Sequence, residues 1–185
     1  MIFPRFGREP RDPDTISALY GMIVAQARLP CFYRDYAVAD TVNGRFDLIV
    51  LHLALVIERL MPEAGLQGLG QGLFDRFCQD MDHNLREMGV GDLKVPKEMR
   101  RMGEAFYGRA RAYRAALSAS DAGQALVAAV TRNIYGGLPA SPAAAGRLAD
   151  YIRAAVRDLK GQEPAGLRAG TVRFPDPAAS PAVTG

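Results

Sequence analysis

Cysteine is nearly absent from this chain of 185 residues, and the two that occur, Cys31 and Cys78, lie far apart and form no CxxC pair. Such isolated thiols argue against a disulfide framework and a structural zinc site, and they fit a reducing compartment. Histidine is equally scarce, with only His52 and His83. Long hydrophobic runs are missing too. The most apolar stretch, LIVLHLALVI, is closed by Asp47 and Glu58 and interrupted by His52. A bilayer-spanning helix needs roughly 20 apolar residues, so this one reads as a buried core helix. The N-terminus, MIFPRFGREPRDPDT, has no apolar core and is no secretory signal. Excess charge of one sign is lacking: a net +3 does not argue for nucleic acid unless the bases cluster. A cytoplasmic, non-spanning protein is expected.

Helical periodicity dominates, with no alternating strand and no internal repeat, so the fold class is all-α. We expect one compact domain of about six to seven helices over 14–160, a flexible segment over 1–13, and a tail over 161–185. Ile16, Leu19, Tyr20, Ile23 and Ala27 share one face of a helix that stops at Leu29-Pro30. A short aromatic turn of helix and a loop follow, and then a helix over about 45–61. The Gly-rich stretch after Pro62 has poor intrinsic helicity and grades into an amphipathic segment bearing Phe74, Phe77, Met81, Leu85 and Met88, ended by Gly89. Pro96 suits the first turn of the next helix, where Gly103 and Gly108 suggest close helix packing. Helices over about 121–135, ended by Gly136-Gly137, and 142–160, opened by Ser141-Pro142, complete the domain. The Pro-, Ala- and Gly-rich tail reads as mobile, with TVRFP able to dock in extended form.

Residues 74–102 look the most chemical, yet specific chemistry fails there. DMDHN opens like a calcium loop at Asp80, Asp82 and Asn84, but Leu85 stands where that loop needs Gly and Gly91 where it needs Glu. His83 and Glu87 lie four apart on a helix and read as a surface pair, while a catalytic zinc usually needs three protein ligands. His52 reads as a core histidine bonded to a loop. GLGQG at 68–72 follows no strand, so it is not a dinucleotide fingerprint, and both cysteines sit among apolar residues that would leave them inert. We expect no enzyme, no metal and no cofactor.

What remains is charge. From 75 to 92, five acids face two bases, a net −3; from 94 to 114, seven bases face two acids, a net +5. Either these are two solvated faces partly neutralising one another, or they form a two-signed docking surface.

Three blocks then carry a family likeness: LYGMIVAQARLPCFYRDYAVADTVNGRFDLIVLHLALVIERL at 19–60, LFDRFCQDMDHNLREMGVGDLKVPKEMRRMGEAFYGRARAYRAAL at 73–117, and the weaker TRNIYGG at 131–137. In this order they resemble the ubiquinol–cytochrome c chaperone family, assembly factors of the cytochrome bc complex (respiratory complex III). Ala39 and Pro96 depart from the family pattern. The chain begins almost at the matching region, so a bacterial member is expected.

The resemblance implies a non-catalytic protein that holds newly made cytochrome b, at the cytoplasm or peripherally at the inner face of the cytoplasmic membrane. Cytoplasmic loops of polytopic proteins are rich in Lys and Arg, which an acidic face would receive. The expected client-binding residues are Asp75, Asp80, Asp82, Arg86, Glu87 and Asp92, with Arg45 and Asp47 near the loop. Phe32 and Tyr33 are either core aromatics or a client-binding lip. Lys97, Arg100, Arg101, Arg111 and Arg114 form a basic face for anionic membrane or the ribosome, with no DNA partner. Two alternatives stay open: an RNA- or ribosome-binding module on the 97–114 stripe, and a haem- or metal-handling protein using His52, His83 and the acids.

Overall fold

The computed structural model describes residues 12–136 and 142–179. Helix α1, Pro13–Ala27, starts one residue earlier than its apolar pattern, because the Asp12 carboxylate accepts from the backbone N–H groups of Asp14 and Thr15 and Pro13 takes the first helical position. The five-residue α2, Pro30–Arg34, turns the chain into α3, Val42–Leu60. Every residue from Leu48 to Ile57 is buried, as a helix that is apolar all round requires. Helix α3 is the axis of the bundle, contacting α1, α4 (Gln67–Glu87), α5 (Val95–Leu117) and α7 (Pro142–Lys160), while α6 (Ala122–Asn133) packs between α5 and α7.

Gly89 ends α4 as expected. Its φ of +80° lets its N–H reach the Arg86 carbonyl while Val90 N–H reaches that of Leu85, and together these bonds satisfy the last turn. Gly137 and Ser141, expected at a helix end and a helix start, lie outside the described residues, as does the N-terminal segment up to residue 11.

Two glycine expectations change places. The Gly-rich stretch is helical from Gln67, and Gly72 is what lets α4 approach α1: a Cβ there would lie 2.3 Å from Ile16 Cδ1. Packing overrides weak propensity. Gly103 and Gly108, expected to permit close packing, have no atom within 4 Å of the position a Cβ would take. With room for a methyl group and an ordinary helical backbone, Gly103→Ala and Gly108→Ala should each raise the unfolding free energy by about 0.5–1 kcal/mol. A shift of the denaturant midpoint to lower concentration would refute this.

Helical packing continues beyond residue 160. The five-residue α8, Pro164–Arg168, buries Leu167. The TVRFP segment is docked: Val172 is buried and Phe174 lays its ring edge-on to His52 at 5.2 Å. Backbone bonds hold the segment in place, with the Tyr36 hydroxyl donating to the Pro177 carbonyl at 2.6 Å and Gln162 bonding Arg173 at 2.8 and 2.9 Å. A Pro-rich stretch orders here because its apolar side chains complete the core and its polar backbone finds partners.

His52 is fully buried, and its bonds go to helices, not to a loop. Nδ1 lies 2.8 Å from the Leu48 carbonyl, which can only accept, so Nδ1 carries the proton and Nε2 accepts from the Tyr151 hydroxyl at 2.9 Å. In the middle of a buried helix the carbonyl four residues back is the nearest acceptor. Burial pushes the imidazole down to about 4, so it is neutral at pH 7.

Candidate docking cleft

The loop at 37–41 folds back over the start of α3, and its closeness depends on Gly44. The N–H of Gly44 donates to the capping Thr41 hydroxyl at 3.2 Å, and a Cβ there would lie 2.0 Å from the Ala39 carbonyl oxygen. This loop, the start of α3, the end of α4, α5 from Glu98 to Arg109 and the end of α6 enclose a cleft of about 1,100 Å³. Glu98, Met102, Ala105 and Arg109 line it from α5, at the three- and four-residue steps that keep one helical face in view.

The cleft has a polar floor. Asp47 and Arg109 form an ion pair at 2.7 Å, with 11% and 21% of their side chains exposed. Arg109 also lies over the Phe46 ring, 5.4 Å from its centre. Burial raises the Asp47 carboxyl to about 6 against the opposing pull of Arg109. Tyr113 is buried beside the pair, and its hydroxyl is pushed upward by burial. Asp47 Oδ1 is met by the Arg109 guanidinium, and Tyr113 and Asn133 stand beside one another, which leaves Arg109 Nε as the floor donor without a hydrogen-bond partner within the protein, one that water or a docked polar group would satisfy.

The walls are apolar and soft. Phe46, Ile49, Met81, Met102 and Ile134 face the space, and the mouth carries two exposed apolar residues, Val42 at 66% and Met88 at 54%. Methionine adapts its unbranched side chain to irregular apolar partners. Arg28, Arg45, Arg101 and Arg132 stand at the edge with Glu87 and Glu98, so the rim has both signs of charge.

The expected site residues divide. Arg45, Asp47 and Glu87 line this cleft. Asp47 is buried floor, not surface, because Arg109 draws it inward. The acids of α4 do not form one face: at about 100° per residue, Asp75 and Asp82 point roughly 140° away from Asp80 and Glu87. Asp80 accepts from the Tyr20 hydroxyl at 2.9 Å, Asp75 accepts from Gln71 at 2.7 Å, and Arg86 bridges Asp82 and Asp92. His83 pairs with Glu87 at 3.1 Å. Phe32 is core, ringed by Tyr36, His52 and Tyr151, while half-buried Tyr33 donates to the Ala27 carbonyl at 3.0 Å.

Lys97, Arg100, Arg101, Arg111 and Arg114 fall within a broad arc of α5. Arg100 pairs with Glu104, Arg101 with Glu98 and Arg114 with Glu58, so much of that charge is met within the chain. Among the described residues, no three His, Cys, Asp or Glu side chains converge as a metal site, and no helix is long and apolar enough to cross a membrane.

Sequence reasoning did not single out Arg109, Met102 or Asn133. The spacing of Glu98, Met102, Ala105 and Arg109 carried a signal, since it marks a second stripe on α5 opposite the basic arc. Asn133 carried none.

Residues 34–174 match the family model described as ubiquinol-cytochrome C chaperone. The chain is similar to the crystal structure of the Cbp3 homolog from Brucella abortus, with 39% identical residues, a TM-score of 0.82, and coverage of 91% of this chain and 92% of that one. No curated protein matches it.

Proposed function

The chain belongs to the ubiquinol-cytochrome C chaperone family, which supports a role in complex III assembly, and on that premise we propose that it holds newly made cytochrome b in the α3–α6 cleft. It acts by binding, without catalysis. The observation that carries this reading is the cleft itself: walls with Met81, Met88 and Met102, open to solvent above a polar floor built on the Asp47–Arg109 ion pair. An apolar segment of a membrane protein needs a surface that covers hydrocarbon without fixing one shape, and methionine supplies it. A polar group within such a segment would meet Arg109 at the floor, where an unpaired donor is costly. The charged rim would take the basic loops that flank the segment, through Glu87 and Glu98.

A photo-reactive residue at Met102, inside the cleft, compared with one at Asp75 or Asp82 on the outer side of α4, tests this in cells that make cytochrome b. Crosslinks from Met102 are expected. Capture only from the α4 positions would move the client to the outer acids, and no capture from either would remove cytochrome b as the client.

A further inference from the structure

Leu93 is 97% exposed, in the turn between α4 and α5. A single exposed leucine is common on protein surfaces, and what sets this one apart is its place at the tip of a projecting turn beside two lysines unpaired among the described residues. The turn stands clear of the body: Gly89 and Gly91 each have no atom within 4 Å of the position a Cβ would take. Immediately after Leu93, Lys94 stands at the N-cap position of α5 without a capping side-chain bond, and Lys97 and Arg101 follow at the three- and four-residue steps that keep them on one side. Among the described residues, neither Lys94 nor Lys97 has an ion-pair partner, whereas the acid beside the tip, Asp92, is held by Arg86.

We propose that this turn is a membrane-docking tip, in which Leu93 enters an anionic lipid bilayer while Lys94 and Lys97 lie against the lipid phosphates. A lone apolar side chain on a convex turn offers little to a protein partner, which needs a packed patch. It suits a fluid surface that closes around it. Lysine stems follow the leucine into the interface while their ammonium groups stay at headgroup depth. No described helix spans a membrane, so any hold on a bilayer through the described residues comes from such surface contacts. Met88 stands at the end of α4 just before the turn and also lines the mouth of the cleft with Val42. Docking through Leu93 therefore turns that mouth toward the lipid.

The test uses the full chain and protein-free vesicles, so its outcome is independent of the cytochrome b reading. Flotation is measured with vesicles of phosphatidylcholine and of an equal mixture with phosphatidylglycerol. The protein is expected to float with the anionic vesicles and to release as salt rises. Leu93→Asp should lower the partition constant at least about tenfold, and Lys94→Gln or Lys97→Gln about fivefold each. All three side chains are exposed, so unfolding midpoints should not move. Unchanged binding by Leu93→Asp would overturn the proposal, as would equal binding to both vesicles, or retention by single-stranded RNA with none by vesicles.

Discussion

Replacing Arg109 by alanine is expected to lower the unfolding free energy by about 3 kcal/mol at pH 8, and by clearly less at pH 5. The guanidinium supplies the charge that faces Asp47 at 2.7 Å, and it packs on Phe46. Breaking a buried pair typically costs about 3–5 kcal/mol, because the remaining charge has lost both water and its partner. Arg109 keeps 21% of its side chain in solvent, which places the cost at the low end.

The pH dependence follows from Asp47, whose carboxyl titrates near 6 in the folded protein. At pH 8 it is charged, and removing Arg109 strands it. At pH 5 it is largely protonated, and there is little charge to strand. Urea unfolding of both proteins at the two pH values checks the claim; an equal cost at each would show that Asp47 does not depend on Arg109. Exchanging both partners for apolar residues of similar size, Asp47→Leu with Arg109→Met, should restore most of the stability. That variant would be folded yet lack the charged part of the floor, so its capture of cytochrome b would measure what the floor contributes to holding a client.

His52 should make the protein acid-sensitive. Its ring titrates near 4 when folded and near 6.5 when unfolded, so between these values the unfolded chain binds the proton and the folded chain does not. Its contribution is fully present above about pH 6.5 and is lost as pH falls toward 4, a change of about 3 kcal/mol. Asp47 acts in the opposite direction: its raised carboxyl value adds stability as pH falls from about 6 toward 4. The two offset one another in wild type, so the His52 effect is read as a difference. The gap in unfolding free energy between wild type and His52→Gln should narrow by about 3 kcal/mol from pH 7 to pH 4. A gap that stays constant would mean that the ring is not kept neutral. The site lies beneath Phe174, so early loss of the tail segment in acid would show as uncovered amides over 171–176 in hydrogen exchange.

By itself the sequence determined the helical class, the positions of the long helices, the buried nature of 48–57 and the family. These are local or cumulative properties. Apolar residues at three- and four-residue steps make a helix wherever they occur, a continuous apolar run must be buried, and a family likeness adds many positions together. It also placed His83 with Glu87, since partners four residues apart meet on any helix.

The candidate cleft was decided only by tertiary structure. Charges counted along α4 read as one acidic face, but the helix distributes them around its circumference, turning Asp80 toward Tyr20 and Glu87 toward the cleft. Asp47 and Arg109 are far apart in the chain and belong to charge patterns with no visible relation, so their pairing follows from how α5 crosses α3. The glycines show the same division. Composition reveals that a residue lacks a side chain, but only the neighbouring helix decides whether that absence is used, as at Gly72, or left open, as at Gly103. Period and composition are one-dimensional and survive reading along the chain. A cleft is made where distant segments meet, and its partners are fixed by distance in space, which no single stretch encodes.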